Sequence, residues 1–421
     1  MEKPNVLSFI HISDIHFAKY SSDAYDIDNE LREAMITDLA NYVKNSFKIT
    51  GILVCGDIAF SGKKEEYDKA LDFLHEVIDI CELKDDDLFC VPGNHDVDQS
   101  VSRNSLLLDL AQTHLETIDK TEHIDDQIRK IQNDSIVNVS TGLLYKPIEM
   151  YNHFFSKFSC SYTVDNPNWI TEIPINSKYT LGIYGMNSTL ISSYKDHLDE
   201  NGNKRCDGKE RKMLINRKQI PNVKNDLIYL SLCHHPPECW SDPKLEELMD
   251  ERVRIQLYGH KHIQNIDTNG KRVRISSGAL HPERGDDWVP RYNLLELWID
   301  NDILYVKIHP RIFDDIKGKF ICDSKSCDKE KDFQLCCMEL STENTRGDFE
   351  EMQQDEKQVR KTSVRTKEIV YRFSVLSDRD KDRIISKFRS IKYSKEQNIE
   401  ILLDQLAQYR LEEEFLNTIK S

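Results

Sequence analysis

No stretch of the 421 residues approaches the roughly 18 uninterrupted apolar residues that a membrane span needs, so a membrane-spanning helix is excluded. The opening segment, MEKPNVLSFIHISD, has no basic region followed by a long apolar stretch, and a cytoplasmic protein is the expectation. Positive charge is in deficit. With 57 Lys+Arg against 73 Asp+Glu the formal net charge is −16, which speaks against a surface that coats nucleic acid, although a local basic patch or bound divalent cations can reverse that sign inside a cleft. Zinc-type cysteine spacing is missing as well. Of the 11 cysteines, Cys322, Cys327, Cys336 and Cys337 make the one cluster and match no structural zinc pattern, while Cys55, Cys90 and Cys233 fall in apolar runs where a reduced thiol packs as a small hydrophobe. No internal repeat is evident. What remains is ordinary soluble composition, 39% hydrophobic and 31% charged, long enough at roughly 100–200 residues per domain for two or three domains with a substantial core.

The first hundred residues alternate between two periods. VLSFIHI (Val6 to Ile12), GILVC (Gly51 to Cys55) and LFCV (Leu88 to Val91) are short apolar runs with polar flanks, as buried strands are. Between them, apolar residues recur at three- and four-residue steps: Leu31, Met35, Leu39 and Val43 within Tyr25 to Phe47, then Tyr67, Ala70, Leu74, Val77 and Ile78. These are the core-facing stripes of two amphipathic helices. A β-α-β-α-β series implies adjacent parallel strands with right-handed crossovers. Residues 102–160 break the rhythm with helical spacing (Leu106, Leu107, Leu110, Leu115, Ile118) and a polar tract, and are expected to be a helical insertion. Strand signal resumes at TLGIYGM, LIYLSLC, IQLYG, VRIS, LLELWI and ILYVKI, enough for a second sheet. The expected division is a domain over 1–312, a charged linker over 313–365, and a small all-α domain over 366–421 with stripes Ile384, Ile385, Phe388, Ile391 and Ile399, Leu402, Leu403, Leu406.

Several strand ends finish in metal-ligand residue types. The first strand runs into Asp14 and His16, the second into Asp57, the third into Asn94, His95 and Asp96. Later strands run into His234 and His235, and into His260 and His262. Strands of one parallel layer end side by side, so residues far apart in sequence can converge on one crevice at the carboxyl edge. Singly each motif is weak, since a lone D-x-H or G-H-x-H is more often a capped turn. Together, in the order D-x-H, G-D, G-N-H-D, H-H-P-P and G-H-x-H, they resemble the calcineurin-like metallophosphoesterase superfamily across residues 5 to 310.

That resemblance implies an α/β fold, a sandwich of two mixed sheets flanked by helices in four αββα layers. It implies Asp14, His16 and His262 on one metal, Asn94, His234 and His260 on a second, Asp57 bridging, and a metal-bridging hydroxide as nucleophile. Seven ligands of mixed imidazole, carboxylate and amide type are too many for one ion and suit two divalent ions about 3.5–4 Å apart, Mn²⁺ first, Fe²⁺ or Zn²⁺ otherwise. In the family the N-H-D histidine, here His95, protonates the leaving oxygen or steadies the transition state, and the following acid, Asp96, orients its ring. Of the CHHPP pair, His234 follows the strand directly and is taken as the ligand; strand alternation sets His235 aside. The segment Ser276 to Trp288 offers His281 and Arg284 to a substrate phosphate, with an ordinary surface loop the equal alternative; the other histidines, His11 and His309 among them, show no ligand spacing.

The expected activity is hydrolysis of a phosphoester, a phosphodiester of a nucleotide or nucleic acid first, a phosphomonoester or phosphoprotein second. A binding module that keeps the fold without the chemistry is the alternative from another class, disfavoured because every motif residue is present. The helical tail resembles the adaptor modules fused to effector enzymes in bacterial conflict systems, which implies a protein partner or self-association; an extra helical layer on the catalytic domain is its competitor.

Overall fold

The computed structural model describes residues 4–18, 26, 28–45, 47–118, 121–133, 142–196, 211–281 and 289–340, and in the C-terminal part 369, 373, 376, 378–388, 391–393, 402, 405–406 and 411–420. It divides into two units, residues 1–340 and 341–421.

In chain order the first unit opens with β1 (Leu7–Ile12), α1 (Asn29–Lys44), β2 (Gly51–Cys55), α2 (Lys64–Ile80) and β3 (Leu88–Val91). The three strands are parallel and wholly buried, with Ile12 opposite Val54 and Val54 opposite Cys90. The insertion follows as α3 (Gln99–Asn104), α4 (Leu106–Glu116), α5 (Thr121–Asn133) and α6 (Glu149–Phe155). Next come β4 (Asn168–Pro174), β5 (Thr180–Met186), β6 (Leu227–Cys233), α7 (Pro243–Arg252), β7 (Ile255–Tyr258), β8 (Gln264–Thr268) and β9 (Val273–Ser277), and finally β10 (Arg291–Asp300), β11 (Ile303–Asp314), β12 (Lys319–Cys322) and β13 (Gln334–Glu339).

Two mixed sheets result. One runs β12-β11-β10-β1-β2-β3, with β13 also on β11; the other runs β4-β5-β6-β7-β9-β8. Residues from both sheets, among them Phe9, Val54, Leu181, Leu230 and Ile275, close one apolar core between them, while α1 and α2 bring Met35, Leu39, Leu74 and Val77 to the first sheet. A separate cluster, Tyr184, Tyr229, Trp240, Leu245, Met249 and Tyr258, seats α7 on the other face of the second sheet. Helix, sheet, sheet, helix is the layering the motifs implied.

Three expectations change. The stretch 313–365 does not begin as a linker: β11 runs on to Asp314, and β12 and β13 share its free edge, Asp314 opposite Lys319 and Ile308 opposite Gln334. These short edge strands are half exposed, so no apolar run marks them. Residues 341–365 lie outside the described residues. The edge strands β4 and β8, likewise half exposed, are also without a strong sequence signal. In the insertion Leu115 is buried as expected, but Leu106, Leu107 and Leu110 are exposed and Leu108 takes the core position.

The second unit shows α8 (Asp378–Ile385) and α9 (Glu412–Lys420). Ile369, Phe373, Ile384, Phe388, Ile391, Leu402, Leu406 and Phe415 bury one another there. The expected helix around Ile399 and Leu403 lies outside the described residues.

Candidate metal centre

Each motif residue sits just past the carboxyl end of a buried strand: Asp14 and His16 after β1, Asp57 after β2, Asn94 to Asp96 as a 3-10 turn after β3, His234 after β6, His260 and His262 after β7. The first sheet therefore supplies four of the expected ligands and the second sheet three. Five of them adopt left-handed backbone, Asp14 (φ 54), His16 (φ 52), Asp57 (φ 52), His260 (φ 69) and His262 (φ 54). Such residues cost about 1–3 kcal/mol each and persist only when their surroundings over-determine them. Here the surroundings are backbone hydrogen bonds that lace the β1 loop to the β2 loop: Asp14 N–H to Gly56 O (3.0 Å), Ile15 and His16 N–H to Asp57 O (2.9 and 3.0 Å), Phe17 N–H to Ile58 O (2.9 Å).

The side chains converge. Asp14 Oδ1 lies 3.2 Å from His262 Nε2, and Asp57 Oδ2 lies 3.2 Å from His234 Nε2 and 3.9 Å from His16 Nε2. Asn94 Oδ1 is 3.1 Å from both His234 Nε2 and His260 Nδ1. Nitrogen and oxygen donors gather within 4.8 Å of one another in four overlapping groups: Asp14, His16, His262; Asp14, Asp57, His234; His16, Asp57, His95; and His234, His235, His260. Asp57 takes part in two of them, on the His16 side and on the His234 side.

Two features show that a cation fits. The His234 Nδ1–H donates to the Cys55 carbonyl (2.8 Å), so Nε2 faces two oxygens, and a neutral ring would set its lone pair against theirs. That is repulsive unless a positive charge sits between them, and a backbone carbonyl behind the distal nitrogen is a common brace of a metal-bound histidine. Burial disfavours a protonated His234, yet the Asp57 charge outweighs it and raises the ring to about 9. His16 is buried, both its ring nitrogens lack partners, and burial pulls it down to about 3, so it presents a neutral lone pair. Asp57 stays ionised: burial works against its charge, but the His234 and His95 imidazoles hold it well below the usual carboxylate range.

Packing leaves Asp14 and Asp57 little freedom. A Cβ on Gly93 would stand 2.1 Å from Asp57 Oδ1, and one on Gly259 would stand 2.6 Å from Cys55 O and 2.9 Å from Asp14 Oδ2. The Ser13 hydroxyl bridges Asp14 and Ser277, and the His95 N–H donates to Asp57 Oδ1 (2.8 Å).

His95 lies at the rim, its ring edge-on 4.5 Å from that of His16. Its orientation differs from the expectation. Nδ1 donates to the Phe60 carbonyl (2.8 Å), while Asp96, fully buried, accepts from the N–H groups of Ile58 (3.2 Å), Ala59 (2.9 Å) and Gly93 (2.9 Å) and from the Tyr67 hydroxyl (2.9 Å). Asp96 clamps the loops beneath the site rather than the imidazole, because its position in the 3-10 turn faces the buried amides. Burial and the nearby Asp57 charge raise it to about 6.

His235 is nearer than alternation suggested. It lies two residues past the last strand residue, Cys233, where alternation no longer applies, and its ring is 4.3 Å from that of His260, tilted by 52°, with Nδ1 on the Ser188 hydroxyl (2.8 Å) and Nε2 buried. His281 also reaches the rim: its N–H donates to Asp14 O (3.0 Å), its Nδ1 lies 3.0 Å from Asp28 Oδ2, and its ring is 5.7 Å from His16. Arg284 lies outside the described residues. His11 is buried within β1 and pulled down to about 3 by burial, a structural residue as expected.

Residues 7–264 match the calcineurin-like phosphoesterases, a span that takes in every expected ligand and ends just beyond His262. The chain belongs to that family of hydrolases. It is 22% identical over 282 residues to an uncharacterized metallophosphoesterase-like protein, YydB, of Bacillus subtilis (strain 168), covering 65% of this chain and 53% of the relative. The chain thus spans about half the length of that curated relative. Among solved structures it is similar to the purple acid phosphatase PPD1 of yellow lupin (10% identity, TM-score 0.39, covering 80% of this chain and 55% of the other) and to vacuolar protein sorting 29 of Cryptosporidium parvum (12% identity, TM-score 0.32, covering 79% and 98%). Among the described residues no helix is long and apolar enough to cross a membrane.

Proposed function

We propose that this calcineurin-like phosphoesterase hydrolyses a phosphodiester of a nucleotide or nucleic acid with two divalent ions, Asp14, His16 and His262 holding one, Asn94, His234 and His260 the other, and Asp57 facing both. The observation that carries the reading is the buried convergence of ligand-type atoms from His16, His234, Asn94 and Asp57, with both ring nitrogens of His16 lacking a hydrogen-bond partner among the described residues. When bound, such ions act as Lewis acids that activate water and neutralise the phosphate. The chain's own part is to hold donors in place without reorganisation, through the left-handed loops and the glycines packed against Asp57 and Asp14. His95 delivers a proton to the leaving oxygen from Nε2, since its Nδ1–H is committed to the Phe60 carbonyl. Manganese is the first ion to try.

The test is a panel on Mn²⁺-, Fe²⁺- and Zn²⁺-loaded protein: p-nitrophenyl phosphate, bis-p-nitrophenyl phosphate, cyclic nucleotides, and single- and double-stranded DNA and RNA. Turnover that requires metal and favours the diesters is expected. Monoester preference would shift the reading to a phosphomonoesterase or protein phosphatase, and two bound ions without turnover of any ester would favour a binding module. The buried cluster of the second unit gives the tail an apolar core of its own, in keeping with a recruitment module.

A further inference from the structure

Phe60 is an exposed aromatic ring at the rim of the metal centre, 48% accessible, on a backbone that is tied down at both ends. Its N–H donates to the Phe17 carbonyl (3.0 Å) and its own carbonyl accepts from His95 Nδ1 (2.8 Å). On one side Ala59 is fixed to Asp96, and on the other Ser61 N–H donates to Glu66 Oε2 (2.9 Å). The other large apolar residues found exposed, such as Leu106, Ile170 and Ile263, are aliphatic. The Phe60 ring stands 5.4 Å from that of His95, tilted by 45°, and 6.3 Å from that of His16. A single exposed apolar side chain is ordinary. This one stands on a fixed backbone beside the imidazole to which the proposed function gives the leaving oxygen, so the departing alcohol would lie near its face.

We propose that Phe60 is a stacking platform for the leaving group and selects phosphoesters whose departing alcohol bears a planar base, that is, nucleoside esters. The proposal rests on the phosphoesterase reading for the position of the leaving group. Stacking suits a rim position because it recognises any base by its π-face without specific hydrogen bonds, and one base on one aromatic ring is worth roughly a tenfold or greater change in affinity. Phe60 acts as a specificity residue, while its carbonyl keeps its separate task of orienting His95.

The experiment compares two ligands that differ only by the base. Methylenephosphonate analogues of adenosine 5′-monophosphate and ribose 5-phosphate, which cannot be hydrolysed, are titrated calorimetrically into the full-length, metal-loaded protein and into Phe60→Ala and Phe60→Trp. Native protein is expected to bind the adenosine analogue at least tenfold more tightly. Phe60→Ala should bring the two together by weakening the adenosine analogue alone, and Phe60→Trp should retain the preference. Equal affinities in native protein, an undiminished preference in Phe60→Ala, or equal loss of both analogues would overturn the proposal. Turnover keeps the two readings apart: selective binding with no hydrolysis of either mono- or diesters of adenosine removes the phosphoesterase reading and the leaving-group role with it, whereas hydrolysis without base preference removes the role of Phe60 alone.

Discussion

At the residue scale, the adjacent His95 and Asp96 divide two tasks that a shared motif would suggest they perform together. Truncating His95 removes a rim imidazole and its one hydrogen bond to the Phe60 carbonyl, while the buried acceptor Asp96 stays in place. His95→Ala is expected to keep its metal and its thermal midpoint but to lose about 10²–10⁴-fold in turnover, least on p-nitrophenyl esters, whose leaving group needs no proton. Asp96→Asn removes half of a buried acceptor that serves three amides and the Tyr67 hydroxyl, so its main effect is on stability, about 1–3 kcal/mol for donors left unsatisfied. Denaturant unfolding separates the two; an Asp96→Asn protein of native stability with turnover lost to the extent of His95→Ala would restore the orienting role. Asp57→Asn should bind well under two ions per chain by elemental analysis, because an amide cannot supply the charge that the two histidine-bearing sides share. Retention of two ions and full turnover would remove Asp57 from its place between them.

At the scale of elements, the metal centre draws on the loops of both sheets, so ions that bind it also join the sheets. Divalent metal should raise the thermal midpoint in a concentration-dependent way, by about 4 kcal/mol of stability at a thousandfold excess over the dissociation constant, and a chelator should reverse it. Asp57→Asn should show little of that shift. On the opposite flank of the second sheet, Asp250 of α7 accepts from Arg272 (3.0 Å), Arg274 (2.6 Å) and Gln256 (3.1 Å), anchoring the helix to β9 and β7. Burial raises the Asp250 carboxyl, but these partners outweigh it and hold it below its ordinary value. A depressed carboxylate stabilises above its unfolded-state range and loses that contribution as pH falls through the folded value. Asp250→Asn should therefore cost about 1 kcal/mol near pH 7, discounted for partial exposure, with the gap to native protein closing below roughly pH 4. The buried strands, and the convergence of the motif residues at their ends, were legible because a buried parallel strand is an apolar run and the residues after it share one edge. The edge strands β12 and β13 were not, since strands that are half exposed mix polar and apolar residues without a run. His235 and Asp96 escaped for a related reason: their partners are set by turns, where periodicity says nothing about direction.

At the scale of the molecule, residues 1–340 close both sheets, and the described apolar residues of the tail bury one another. A fragment ending at Leu340 is expected to remain soluble, bind two ions and hydrolyse a small chromogenic ester near the full rate. Aggregation of that fragment would mean that the tail completes the catalytic layer. The position of β1 has a consequence for synthesis. It lies between β2 and β10, so that Leu7, synthesised 290 residues earlier, finds its antiparallel partner in Leu297, and the far edge of the same sheet waits for residues 334–339. A nascent chain of 250 residues holds Asp14, His16, Asp57, Asn94 and His234 but neither His260 nor His262, and its central strand has one free edge. Folding of the catalytic unit is therefore expected to wait until translation is well past residue 340: ribosome-bound chains stalled before residue 290 should be cut readily by protease, and chains stalled well beyond 340 should resist.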